Sequence, residues 1–433
     1  MQSICRQCSA GFEITPEDLA FYDSVSPVFS GKKEQIPPPS LCPACRRQRR
    51  LSFRNERNLY HRTCDLTSRP IVSSHAPEKP YKVYQSDDWF SDKWNAIDYG
   101  RDFDFNRPFF EQFAELKLVV PRMSVVTSPD AEAYNAIYVN FSGHSKDCYM
   151  TFDSDYNRDS YYSNVLKHSE NCVDCSYVHD SELCYECIDC YGCYDLRFSE
   201  NCVNCSTGSF LKNCTGCKNC FFCSNLNQKE YHIFNKPYSK EEYERTMALL
   251  RLGTSSGLFK IQKDFAAFAL KYPQKFSHEL KAEESSGDYL YNVQRCHECF
   301  DVADGQDLRY CDTLYKAKAC CDVSSFGENI ELMYESGTAG IDCYHFLFCF
   351  ECVISCSDLI YCDECRHASK CFGCVGLKGE YCILNKQYTK DEYEALVPRI
   401  IEHMRRTDEW GEFSRQASAH SGTTKPSQTN TFH

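Results

Sequence analysis

The sequence has none of the features that would assign it to a class quickly. No window of about 18 uninterrupted apolar residues occurs along its 433 residues, so no membrane-spanning helix is expected. The N-terminus, Met1-Gln-Ser-Ile-Cys-Arg-Gln-Cys8, has no apolar stretch of signal-peptide length, which points to a soluble, cytoplasmic protein. Phosphate loops, dinucleotide fingerprints and the HExxH pair are absent. Gly253-Thr-Ser-Ser-Gly257 has the form of a nucleophile elbow, but it follows a helical pattern instead of a strand and sits in linker-like composition, so it is set aside. No catalytic constellation stands out, and an enzyme is the less favoured class. Positive charge is also short. A formal net charge of -13 argues against a chain coated all over with nucleic acid and leaves only a local basic patch open.

What is abundant is cysteine, 32 residues of it. Cys-dense secreted scaffolds are small, whereas this chain is long enough to bury a core without staples. In a reducing compartment such thiols are read first as metal ligands, then as small packing residues, and last as disulfides.

The cysteines fall into blocks, Cys148 to Cys223 and Cys296 to Cys382, and the block ends match. Cys220-Phe-Phe-Cys-Ser-Asn-Leu with Tyr231-His-Ile-Phe-Asn-Lys-Pro-Tyr-Ser-Lys-Glu-Glu-Tyr243 aligns with Cys371-Phe-Gly-Cys-Val-Gly-Leu and Tyr381-Cys-Ile-Leu-Asn-Lys-Gln-Tyr-Thr-Lys-Asp-Glu-Tyr393, with one residue of gap. The chain therefore contains an internal duplication. Ser239 with Glu242, and Thr389 with Glu392, have capping-box spacing, so helices are expected over about 240–252 and 390–405. A further amphipathic helix is expected around 259–276, bridging the two blocks.

Within the first block every Cys-to-Cys spacing is a multiple of three, with six as the natural unit. Hexad positions one (Ser142, Cys148, Ser154, Ser160, Leu166, Cys172 and onward) and four (Ser145, Thr151, Asn157, Ser163, Ser169, Cys175 and onward) carry no charge through Leu226, while all charged residues of the stretch fall elsewhere. Neither period 3.6 nor period 2 gives this, but a narrow β-solenoid does, its small residues forming an inward ladder. Three hexads per coil would stack Cys184, Cys202 and Cys220. Twelve-residue coils also fit parts of the pattern, such as Ser145, Asn157, Ser169 and Ser181. In the second block Cys343, Cys349 and Cys352 are shifted by one residue, which predicts a bulge or insertion near 335–355. The interchange of Cys with Ser and Leu at inward positions favours packing over metal binding there, with further metal sites at stacked pairs such as Cys184/Cys187 over Cys202/Cys205 as the alternative.

The strongest chemical signal is Cys5-x-x-Cys8 with Cys42-x-x-Cys45. Two such knuckles supply the four thiolates of one structural zinc site with no ligand vacancy for catalysis. The surrounding residues, Phe12-Glu-Ile-Thr-Pro-Glu-Asp-Leu-Ala-Phe-Tyr22 and Pro37-Pro-Pro-Ser-Leu-Cys42-Pro-Ala-Cys45-Arg-Arg-Gln-Arg-Arg50, resemble a treble-clef zinc-ribbon domain of bacterial proteins over about residues 3–52, with Ser9 where Gly often follows the second Cys. The resemblance implies a hairpin knuckle and a helix beginning at the second pair. The segment from Trp89 to Pro121 together with the hexads and the Asn-Lys-x-Tyr-Ser/Thr-Lys ends is also similar to an uncharacterised family of Cys-rich bacterial proteins with that module, which implies no activity.

Arg46, Arg47, Arg50, Arg54 and Arg57 follow helical spacing after the second knuckle. A stripe of this kind matches phosphates, so nucleic-acid or ribonucleoprotein contact through 46–62 is one expectation. The other is internal pairing with the acidic segment 86–113. The aromatic run in that segment, from Trp89 to Phe113, is expected to pack over the open end of the first solenoid.

The expected architecture is mainly β: a treble-clef zinc module with a basic helix (1–66), an aromatic, acidic connector (67–135), a first Cys-rich solenoid-like lobe with its closing helix (136–255), a helical linker (256–290), a second, degenerate lobe with its closing helix (291–408), and a disordered tail (409–433). The expected function is a zinc-binding structural or interaction protein with an unidentified protein or nucleic-acid partner and no membrane. The alternative is a thiol-rich metal-storage, iron–sulfur or redox protein using stacked CxxC pairs.

Overall fold

The computed structural model describes residues 1–411 apart from 53, 128–132, 251–254, 323, 325–332, 335–336, 341–346, 348–349 and 354–355. The molecule is mainly β. Its dominant feature is a β-solenoid, with parallel pairing running from Val139–Asn140 to Glu230–Ile233 and again from Glu279–Glu283 onward to Gly379–Ile383. Seven α-helices occur among the described residues: α1 (Pro16–Val25), α2 (Pro43–Leu51), α3 (Ser86–Phe90), α4 (Phe109–Val119), α5 (Lys240–Leu249), α6 (Ser255–Ala269) and α7 (Lys390–Arg406). None of them is long and apolar enough to cross a membrane.

The coil length is twelve, which corrects the eighteen-residue alternative. Val178 pairs with Cys190, Cys190 with Cys202, Leu196 with Gly208, and Gly208 with Cys220. The residue one coil beyond Cys184 is therefore Leu196, whose carbonyl receives the Tyr185 N–H at 2.9 Å, and Cys184/Cys187 do not lie over Cys202/Cys205. The physical reason is a turn at every third residue. From Phe141 to Phe234 each third residue is left-handed, with φ between 45° and 63°. Four such corners close one coil of four triplets, each triplet holding an inward residue, an outward residue and a corner. Asp and Asn, which tolerate this conformation best after Gly, are the commonest corner residues.

A tube this narrow favours small side chains, and where an inward backbone N–H lies outside the ladder a side-chain oxygen or sulfur can take it. Ser154 Oγ accepts from Leu166 N (3.0 Å), Ser163 Oγ from Cys175 N (3.1 Å), Ser181 Oγ from Cys193 N (3.0 Å) and Ser199 Oγ from Leu211 N (3.2 Å), each one coil onward. Cysteine does the same more weakly, as where Cys205 Sγ accepts from Cys217 N at 3.4 Å. The thiols in turn donate to inward-facing carbonyls, Cys187 to Leu196 O and Cys193 to Cys202 O, both at 3.4 Å.

The two stretches end alike, as the duplication predicts. A final two-residue turn, Phe234-Asn235 or Leu384-Asn385, has both residues left-handed, which suits a tight antiparallel hairpin. The Asn side chain then stands in for a further strand. Asn235 bonds Ser224 N (2.8 Å) and Ser224 O (2.9 Å), and Asn385 bonds Val375 N (2.7 Å) and Val375 O (2.8 Å). Both capping boxes form, opening α5 and α7. The one-residue gap in the duplication is a difference in coil length: Cys220 pairs with His232, twelve on, and Cys371 with Cys382, eleven on.

The register shift anticipated near 335–355 has a counterpart in thirteen-residue pairings, Cys320 with Met333, Tyr334 with Leu347, and Leu347 with Ile360. Cys343 and Cys349 lie outside the described residues. Three expectations need correction. Helix α6 begins earlier and ends sooner than 259–276 and lies on the flank of the first stretch, Phe265 meeting Phe210 and Phe222, while coil pairing resumes at Glu279, inside the expected linker. The aromatic segment does not cover the first solenoid: Phe109, Phe110 and Phe113 are fully buried with Tyr361, Phe372 and α7 at the far end of the second stretch. Finally, Glu409 and Trp410 are packed, Glu409 accepting from Phe109 N and Phe110 N at 2.9 Å, whereas 412–433 lies outside the described residues.

Replacing Ser181 with Ala removes the acceptor for the Cys193 N–H inside a dry tube and should cost about 1–3 kcal/mol of stability. Ser181→Cys, which keeps a weak acceptor, should cost much less. Equal denaturation midpoints for the two variants would show that the side-chain ladder is not what satisfies the backbone.

Candidate metal centre

The four N-terminal cysteines converge because two local structures each present a pair. Cys5 and Cys8 sit in the turn of an antiparallel hairpin, Gln2–Ile4 with Gly11–Glu13. The turn is closed by Cys5 N donating to Ala10 O (2.9 Å) and Ser9 N to Cys5 O (3.0 Å), with Ser9 left-handed at φ 62°, the position where Gly would be unstrained. Cys42 is the N-cap of α2, Pro43 follows, and Cys45 lies in the first turn. Cys42 thus sits at the N-terminal end of the helix, without a side-chain capping hydrogen bond.

All four Sγ atoms lie within 4.8 Å of one another, and Cys8 Sγ is 3.8 Å from Cys42 Sγ. A tetrahedron with metal–sulfur bonds of about 2.3 Å has edges of about 3.8 Å, so the donor set fits one tetrahedral ion. Cys5, Cys42 and Cys45 are buried and Cys8 is exposed. Burial acts to raise the Cys5 thiol, but N–H groups of Cys42, Cys8 and Gln7 outweigh it and bring it down to about 6. Burial pushes Cys42 and Cys45 up, with neighbouring thiols adding to the effect at Cys45. A cation among the sulfurs would relieve that cost.

No other group of three or more potential ligands comes this close among the described residues. The solenoid thiols are inward and are shifted in both directions: burial pushes Cys365 up to about 12 and the hydrogen bond with Cys175, with burial adding, pushes Cys172 to about 12, while hydrogen bonds from neighbouring thiols bring Cys193, Cys202 and Cys223 down. No protein-family model and no curated protein matches the chain.

The arginines that follow the second knuckle are placed otherwise than a phosphate-reading stripe requires. Arg46 is 1% exposed; it ion-pairs with the fully buried Asp322 and donates to Leu41 O at 2.7 Å. Arg50, also buried, donates to Ser324 Oγ at 3.1 Å and lies 3.5 Å from Asp322. Arg54 pairs with Glu56 (2.6 Å) and Asp153 (3.3 Å) and stacks over Phe141 at 4.4 Å. Arg47 is half exposed and pairs with Asp312 at 2.6 Å. The pairing is internal, as one reading held, but its acids are Asp153, Asp312 and Asp322 of the solenoid instead of the 86–113 segment. Those acids gave no signal in the sequence, because their partners lie more than 90 residues away and in the second stretch about 270 away.

Arg46→Ala leaves the Asp322 carboxylate buried without its partner and should cost about 3–5 kcal/mol, while Arg47→Ala at a half-exposed pair should cost about 0–1 kcal/mol. Comparable losses for the two, measured by chemical denaturation, would contradict the buried placement of Arg46.

Proposed function

We propose that the protein is a zinc-stapled structural or interaction protein, in which a treble-clef module over about residues 3–52 positions α2 so that its arginines clamp the solenoid. The observation that carries this reading is the four-thiol cluster at the start of the helix whose second turn inserts Arg46 toward Asp322. Closed four-thiolate sites of this spacing are structural, with no open position for substrate. Zinc would be held by Cys5, Cys8, Cys42 and Cys45, and would supply folding energy in place of catalysis. The solenoid supports an interaction role, since it offers long regular faces, on one of which Tyr149, Tyr161 and Tyr185 are exposed in a single column of stacked coils.

The placement of Arg46, Arg50 and Arg54 weighs against phosphate contact by that stripe. The metal-storage or redox alternative finds less support, because the solenoid thiols are buried and hydrogen-bonded to carbonyls, and among the described residues no three of them converge as the four N-terminal thiols do.

Elemental analysis of the purified chain should give about one zinc, and the cobalt-substituted form should show a single tetrathiolate site. Several metals per chain, or visible charge-transfer bands in the native protein, would favour the storage and redox class. Because the ligands must be deprotonated, metal affinity should fall on acidification. Chelation should lower the thermal midpoint and free Arg46 from Asp322.

A further inference from the structure

The turn around Cys64 repeats the first knuckle in detail. The hairpin Tyr60–Thr63 with Pro70–Ser73 pairs His61 with Val72, Arg62 with Ile71 and Thr63 with Pro70, the same register as Gln2 with Glu13, Ser3 with Phe12 and Ile4 with Gly11. Cys64 N donates to Arg69 O (2.8 Å) as Cys5 N does to Ala10 O, and Ser68 N donates to Cys64 O (2.8 Å) as Ser9 N does to Cys5 O. Ser68 is left-handed at φ 59°, as Ser9 is at 62°.

The second half of the module matches as well. In the first copy Arg6 N donates to Ser40 O (3.0 Å), just ahead of α2; in the second, Asp65 N donates to Val83 O (2.9 Å), just ahead of α3. Cys42 is the N-cap of α2 and Gln85 that of α3, and the first helical bonds correspond, Arg46 N to Cys42 O (3.0 Å) and Trp89 N to Gln85 O (2.8 Å). Superposing the two by these bonds places Cys64 on Cys5, Thr67 on Cys8, Gln85 on Cys42 and Asp88 on Cys45.

Three of the four sulfurs are gone, and polar contacts occupy their place. Thr67 Oγ1 donates to Asp88 Oδ2 at 3.4 Å, joining the same two positions that the metal would join in the first copy. Lys93 Nζ lies 2.6 Å from Asp88 Oδ1, so an ammonium supplies the positive charge beside the one remaining anion. Cys64, fully buried, receives the Gln85 N–H at 3.4 Å. We infer that residues 60–90 are a second copy of the metal module, in which Cys64, Thr67, Gln85 and Asp88 stand at the ligand positions of a soft divalent cation and a Thr67–Asp88–Lys93 chain replaces the ion. The unit spans the boundary expected at residue 66. A lone thiol beside a hydroxyl, an amide and a salt-bridged carboxylate is a poor donor set for zinc, which prefers thiolate and imidazole. The second module therefore folds without metal, and the response of the chain to metal is confined to the first.

The inference rests on the first cluster holding an ion, and the test separates the two claims. The full-length chain and the triple variant Thr67→Cys/Gln85→Cys/Asp88→Cys are loaded with cobalt, and bound ion is read from thiolate charge-transfer absorbance and elemental analysis. One ion in the natural chain and two in the variant, a twofold rise, is the expected result. No ion in the natural chain with one in the variant would sink the metal reading of Cys5, Cys8, Cys42 and Cys45 and leave this inference standing. One ion in both the natural chain and a folded variant, none in either, or two in the natural chain, would overturn it. Should the variant fail to fold, hydrogen exchange on the chelated natural chain decides: amides of Arg6, Ser9 and Arg46 should lose protection while those of Asp65, Ser68 and Trp89 keep it. Loss of both sets would equally overturn the inference.

Discussion

Many inward backbone N–H groups of the twelve-residue coil are buried outside the strand ladder and find their acceptor on the hydroxyl or thiol one coil earlier. Most of the fold follows from that constraint. The inward residue has to be small, because four triplets enclose little volume, and it gains by carrying a hydroxyl or thiol, because buried donors left unmade are costly. Ser and Cys meet both demands, which accounts for their interchange along the columns and for the exclusion of charge. The same constraint sets the ends. A last coil would expose an unpaired rung, and Asn235 and Asn385 fill it with an amide that offers one donor and one acceptor, as a backbone would.

Apolar packing holds α4, α6 and α7 against the tube, whereas the N-terminal helix is held largely by ion pairs. The helix α2 docks through charge, Arg46 on Asp322 and Arg47 on Asp312. Burying Arg46 and Asp322 together is costly unless both are fully paired, and the pair forms only if the helix axis is fixed. Four thiols at the start of that helix are a means of fixing it, because a tetrahedral ion permits one arrangement of the knuckle and the helix end. An ion held by these four thiols would link its own binding to docking on the solenoid.

The sequence made some of this legible for physical reasons. Period three survives in the Cys spacings because every inward position faces the same steric limit, and the capping boxes and Asn-Lys turns are local signals that need no tertiary knowledge. The coil length was not legible from the inward pattern, since period three is compatible with coils of twelve or eighteen. The corner residues, among which Asp and Asn are the commonest, mark the left-handed turns but repeat with the same period of three, so only the strand pairing fixes twelve. The acids that pair with α2 were hidden, because an ion pair about 270 residues apart has no spacing to recognise. The second knuckle was hidden for a different reason: its backbone kept the module while three of its four ligand positions lost sulfur.

The inward columns are also uneven, and this bears on where the N-terminal module sits. The first coils are lined by Ser142, Ser145, Thr151, Ser154, Asn157, Ser160 and Ser163, with Cys148 the lone thiol among them, whereas cysteines dominate from Cys172 to Cys223. A sulfur rung buries more apolar surface than a hydroxyl rung, so the hydroxyl-lined end has the smaller hydrophobic term. Solenoids fray from their ends, since each coil is stabilised mainly by its neighbours. The chain after α2 lies against that weaker end: Arg54 pairs with Asp153 and covers Phe141, and Asn140 donates to Asn55 O (2.9 Å) and Glu56 O (3.2 Å). The segment that leaves the metal centre thus grips the second stretch through Arg46 and the first coils of the first stretch through Arg54. Loss of the ion would loosen both grips, and the hydroxyl-lined coils, with the least burial of their own, would be the first to open.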